Sequence, residues 1–171
     1  MFELISGNLM SLCAMITDSV SATRKTTRGV LLMQTLSQLF YFTSSIFLKG
    51  YSAAVQNAMS VIRNLNAISK HRRPWVEWLL IVAGVTLGLV FNNRGVMGLL
   101  PVVSNLEYAL AVRLFSDNQK ILKTAFLINS LLYCVFNAYV MNFVGVFATL
   151  TVAVTTTIAI IRMHKAPGQK A

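Results

Sequence analysis

Apolar residues fill seven long blocks separated by short polar joints, at 2–20, 29–48, 51–68, 75–91, 97–115, 121–141 and 143–161. A helix that crosses a bilayer needs about 20 mostly apolar residues, with about 17–25 the usual range. Every block meets that length, and no joint is long enough to hold a soluble domain. The pattern predicts an all-α polytopic membrane protein with seven transmembrane helices. The fourth block, WVEWLLIVAGVTLGLVF, carries Glu77 as its only charge and has three blocks on either side. An odd helix between two sets of three lets both triplets run in the same direction across the membrane. The expected plan is therefore three plus one plus three. Residues 1–70 form a first three-helix repeat and 71–95 a linker helix. Residues 96–165 form a second repeat, and 166–171 a disordered tail.

Composition supports the bilayer. Hydrophobic residues make up 56% of the chain and charged residues only 12%, against about 25% charged in a soluble domain. The net charge of +10 would suggest nucleic acid in a soluble protein, but no recognition motif accompanies it. The cations sit between the blocks instead. Counted on alternate sides of seven spans, twelve of the 15 Lys and Arg fall on one side, in clusters such as Arg24-Lys25 and Arg72-Arg73. Lys49 and Arg94 fall on the other side, and Arg63 lies within a block. Cytoplasmic joints carry the excess of cations. The amino terminus is therefore expected outside and the carboxyl terminus in the cytoplasm. The start, MFELISGNLMSL, has no basic region and reads as a retained first helix, not a cleaved signal. Cys13 and Cys134 fall inside apolar blocks and read as packing residues.

The triplets carry short internal similarities. SGNL at 6–9 matches SNL at 104–106, and VIR at 61–63 matches IIR at 160–162. Parallel repeats of this kind occur in transporters, with the site near the midplane between the halves.

Polar residues inside the blocks are the site candidates. Glu107 lies near the middle of the fifth block, where an ionisable group is expensive and normally faces the bundle interior or water. It reads equally as a proton-coupling group and as a carboxyl hydrogen-bonded between helices. Arg63, in the third block, reads as a substrate contact or as a cation snorkelling to the interface. At about 1.5 Å per residue, Arg63 and Glu107 have similar depths, so the two are expected to meet if their helices are neighbours. Asn8, Asn57, Asn105 and Asn129 offer amide donors and acceptors suited to a neutral polar or zwitterionic solute. The alternative for each is an interhelical hydrogen bond. Gln34, Gln38 and Ser60 add polar atoms nearby. No phosphate loop, metal cluster or nucleophile–base pattern stands out, so neither an enzyme nor a cofactor is expected.

The segments AMSVIRNL at 58–65, GLLPVVSNLEYALAVRLF at 98–115, FNAYVMNFVG, and TIAIIR near the end resemble the YgjV-type family of bacterial inner-membrane proteins. That resemblance implies a location and a topology but no substrate. The layout is also similar to that of the SWEET and PQ-loop (MtN3-like) transporters. This chain departs from their pattern, because Pro101 is its only intrahelical proline and no Pro-Gln pair occurs. Two functions follow as expectations. One is a small polar solute transporter whose site uses Asn8, Asn57, Asn105, Asn129, Glu107 and Arg63. The other is a non-transporting membrane protein, an assembly partner or sensor, whose polar residues only pack helices. The expected partners are the lipid bilayer and, for the first, a small polar solute. Nucleic acid is not expected, and a homo-oligomer stays open.

Overall fold

The computed structural model describes residues 1–24, 26–69, 74–115 and 118–165. The expected tail at 166–171 and the basic stretch at 70–73 lie outside them. Among the described residues seven α-helices make up the fold: α1 Phe2–Ala22, α2 Thr27–Phe47, α3 Tyr51–Ile68, α4 Pro74–Val90, α5 Gly95–Leu114, α6 Gln119–Tyr139 and α7 Phe143–Lys165. Each lies where an apolar block predicts it. Side-chain oxygens cap three of the starts. Thr26 accepts from Gly29 N at 3.1 Å, Asn118 from Ile121 N at 3.2 Å, and Asn142 from Gly145 N at 2.9 Å. Such caps satisfy amides that the first helical turn leaves without partners.

Four helices, α2, α5, α6 and α7, are long and apolar enough to cross a membrane. The apolar run Trp75–Val90 of α4 is shorter. In α1 and α3 polar residues dilute the apolar content, and their placement explains why. In α3 the buried set is Ser52, Ala53, Ala54, Gln56, Asn57, Ser60 and Asn64, while Ile62 and Leu65 face outward. The same inversion runs through the bundle. Its buried side chains are mainly serine, alanine and amides, and every helix exposes large apolar side chains. Water would penalise that arrangement. Lipid tails favour it, because small residues let helices approach and polar groups find partners inside.

The helices close into a ring. α1 packs on α2, α2 on α3, α3 on α5, α5 on α6, α6 on α7, and α7 returns to α1. α4 packs against both α3 and α5, and between residues 75 and 90 it buries only its glycine positions, Gly84 and Gly88. Serine and glycine set the α1–α2 contact. Ser44 Oγ donates to Gly7 O at 2.8 Å and pairs with Ser11 Oγ at 2.8 Å. Further along the same contact, Ser37 donates to Asp18.

The α2–α3 and α6–α7 joints are built alike. Lys49 has φ 56° and Met141 φ 59°, both in the left-handed region. Gly50 N donates to Ser45 O and Asn142 N to Asn137 O, each at 2.8 Å. A non-glycine residue in that conformation costs about 1–2 kcal/mol, while glycine loses about 0.5–1 kcal/mol more backbone entropy on folding. Met141→Gly is therefore expected to stabilise the fold by about 0.5–1 kcal/mol, read as a raised midpoint in thermal unfolding of the purified protein. Met141 is the cleaner position, because Lys49 also pairs with Glu3 at 2.8 Å. Hydrogen bonding to Glu3 holds the Lys49 ammonium above the usual lysine range.

Both joints lie at the end of the bundle where α1 begins, called here the Met1 end. Side chains lock them there. Asn8 Nδ2 donates to Met141 O at 3.0 Å, and its Oδ1 accepts from Val144 N at 3.1 Å. Arg94 donates to Lys49 O at 3.1 Å and to Leu48 O at 3.0 Å, and Asn93 Nδ2 donates to Lys49 O at 2.8 Å. Beneath these locks sits an apolar cluster of Leu48, Ala53, Phe136 and Val140, with Leu4, Leu100 and Tyr133 packed against it. It draws on α1, α3, α5, α6 and the α2–α3 joint, so it fills the ring at this level.

Candidate functional site

Toward the other end the packing opens. A cavity of about 310 Å³ lies among α2, α3, α4 and α5. Its upper wall is Gln56, Gly84 and Asn105, and it continues past Ser60, Arg63 and Tyr108 toward Ala67, Glu77 and Arg113. The lining follows from helical spacing. Gln56, Ser60, Arg63, Asn64 and Ala67 recur at intervals of three and four in α3, which places them on one face. Asn105, Tyr108, Ala109 and Val112 do the same in α5.

A hydrogen-bonded chain forms the upper wall. Gln56 Nε2 donates to Gly84 O at 2.8 Å. Asn105 Nδ2 donates to Gln56 Oε1 at 3.3 Å and to the Tyr133 hydroxyl at 3.0 Å. These bonds tie α3, α4, α5 and α6 together at one level. The glycines of α4 make this possible, since a Cβ on Gly88 would stand 2.7 Å from Gln56 Nε2. Below the wall, Arg63 Nη2 donates to Ser60 Oγ at 3.4 Å. Arg113 lies over the Trp78 ring, 5.9 Å from its centroid.

The structure brings Arg63 and Asn105 to this cavity and places the other four candidates elsewhere. Asn8 holds the α6–α7 joint at the Met1 end. Asn57 Nδ2 donates to Ser45 Oγ at 3.3 Å, between α3 and α2. Asn129 and Ser104 exchange bonds between α6 and α5, with Asn129 Nδ2 donating to Ser104 O at 3.0 Å and Ser104 Oγ to Asn129 O at 3.1 Å. Asn8 and Asn105 thus do not converge, although their sequence neighbourhoods are alike.

Glu107 and Arg63 do not meet either. Glu107 lines a separate groove of about 590 Å³ between α5 and α6, with Ala111, Lys120 and Thr124. Its Oε2 is buried and has no hydrogen-bond partner. The reason is rotation about the helix axis. At 3.6 residues per turn, position 107 lies about 200° from Asn105, on the opposite face of α5. Equal depth was necessary for the expected pair and was not sufficient.

Contributors missed in the sequence include Gln56, Glu77, Tyr108 and Arg113. For Gln56 the signal was the polar stripe of α3. Glu77 was visible as the only charge of its block, but nothing in the sequence turns it toward α3.

Among the described residues no group of three or more His, Cys, Asp or Glu is placed to hold a metal ion. The family model described as Imp-YgjV, bacterial inner membrane protein, matches residues 5–167. No curated protein and no solved structure matches the chain.

Proposed function

The chain belongs to the Imp-YgjV family of bacterial inner membrane proteins, and from that setting we propose that it carries a small polar solute across the membrane. The cavity among α2–α5 carries this reading. A purely structural bundle gains nothing from leaving about 310 Å³ open beside an arginine, a glutamate and several amides. Ligand sites are concave, with a few convergent polar groups, and this one lies between helices from both halves of the chain.

In this reading all seven helices cross the bilayer, α1 and α3 included, with their polar faces turned to neighbours. The ring also fits two parallel repeats, 1–70 and 96–165. Exchanging α1, α2 and α3 for α5, α6 and α7 maps each ring contact onto another, α1–α7 onto α5–α3 for example. The two left-handed joints exchange as well. The Met1 end is locked and filled while the cavity extends toward the opposite, cation-rich end. That is the arrangement of a carrier open on its cytoplasmic side, and transport requires the Met1-end locks to release in turn.

The test is a thermal-unfolding screen of the purified protein against neutral sugars, amino acids and small organic acids. A bound ligand at 100 times its Kd adds about 2.7 kcal/mol of stability. Hits are then followed by counterflow in proteoliposomes. Stabilisation without flux from any compound would instead favour a sensor. The interhelical bonds of Asn8, Asn57 and Asn129 are the observation on the side of a non-transporting protein.

Orientation has its own check. Met141 is exposed at the Met1 end, and Thr26 is exposed at the other. In a chain cleared of Cys13 and Cys134, Met141→Cys is expected to react with an impermeant thiol reagent on intact cells. Thr26→Cys is expected to react only after the membrane is opened. Labelling of Thr26→Cys from outside would reverse the proposed topology.

A further inference from the structure

Arg63 is the cavity's most demanding group. Among the described residues it has no ion pair, and its one hydrogen bond is the 3.4 Å contact with Ser60. A guanidinium carries five N–H donors and stays charged. Water or a bound acceptor must take the donors that Ser60 leaves. Glu77 lines the same cavity and attracts Arg63 across it, but the two form no salt bridge. Arg113 lines it too, engaged with Trp78. Among the described residues, two arginines against one glutamate leave the lining one unit positive.

We propose that the cavity recognises a small carboxylate and that Arg63 is its anchor. This rests on the carrier reading and narrows it to a substrate class. The planar fork of arginine matches a carboxylate with two parallel N–H···O bonds. The surroundings suit the rest of such a molecule. Tyr108 and Asn105 supply polar groups, while Met59, Leu80, Ile81 and Val85 supply an apolar wall. Asn105 spends its amide hydrogens on Gln56 and Tyr133, which turns its oxygen into an acceptor for a donor on the ligand. A volume of about 310 Å³ is at the small end of the range for ligand pockets, which favours acids of a few carbons.

The experiment compares matched pairs on the purified full-length protein at neutral pH: acetate with acetamide, lactate with lactamide, and alanine with alaninamide. Thermal unfolding is read at constant ionic strength. At least one carboxylate is expected to raise the midpoint while its amide does not. Arg63→Lys keeps the charge but loses the fork, and is expected to weaken that response at least tenfold in concentration. Arg63→Gln is expected to abolish it, while Arg162→Gln, away from the cavity, leaves it intact. The wild-type comparison needs no variant, so a poorly folding Arg63→Gln does not blunt the test. Equal stabilisation by an acid and its amide overturns the carboxylate anchor and leaves the carrier reading standing. So does a response confined to neutral sugars. A carboxylate response that Arg63→Gln retains in full overturns the role of Arg63. No response to any solute in this panel or the wider screen overturns both proposals.

Discussion

Phe136→Ala is expected to destabilise the protein by about 3–5 kcal/mol, the usual cost of deleting a buried aromatic ring from a packed core. Phe136 is only 2% exposed and is the largest fully buried side chain among the described residues. Its neighbours come from several helices, so no single side chain can swing in to fill the gap. Gly50 is pressed against it closely enough that a Cβ there would stand 2.9 Å from the ring. The loss should appear as a lower unfolding midpoint in detergent at unchanged helical content. If the protein is a carrier, the same variant should also let solute or thiol reagents enter from the Met1 end. A variant with wild-type stability would mean that the cluster is not the core of that end.

The second large effect is expected at Gly88. A Cβ there would lie 2.7 Å from Val102 Cγ2 as well as 2.7 Å from Gln56 Nε2. Neither neighbour can easily withdraw. Val102 is buried in α5, and Gln56 is pinned by its bonds to Gly84 and Asn105. Gly88→Val must push α4 away from both α3 and α5. Overpacking of this kind costs about 1–3 kcal/mol. The displaced helix also opens the upper wall, so in the proposed carrier ligand-induced stabilisation should disappear even at temperatures where the variant is folded. Gly95→Ala offers a comparison, because Gly95 has open space around its Cβ position and a φ of 57°. It should cost only local backbone strain and leave ligand response unchanged. Wild-type ligand response in Gly88→Val would show that α4 can shift without disturbing the site.

The helices were legible in the sequence because length and hydropathy settle them. Apolar runs of this length have few alternatives, and the short polar joints punctuate them. The site was legible only in part. Depth can be counted along a helix, so Arg63 and Glu107 were placed at comparable levels. Azimuth depends on which neighbour each face meets, and that follows from the packing order of the ring. Depth alone therefore suggests a pair, while in space the two residues face different sides of α5. Single amides posed a similar difficulty. Asn57, Asn105 and Asn129 are the same chemistry at similar depths, yet two of them bind neighbouring helices away from the cavity and one lines it. The α3 stripe from Gln56 to Ala67 was the better guide, because a polar face extending over three turns has to be sheltered from lipid by other helices or by water.

The locks at the Met1 end have an evolutionary consequence. Asn8, Asn93 and Arg94 all grip main-chain atoms: the carbonyls of Leu48, Lys49 and Met141 and the amide of Val144. Every residue type offers a carbonyl, so the identities of Lys49 and Met141 are largely irrelevant to the grip. The gripping side chains have no such freedom. Drift among relatives should therefore be lopsided, with the joints changing residue type readily while the amides and the guanidinium that hold them persist. Proline should be absent at 144, where it would remove the hydrogen that Asn8 accepts.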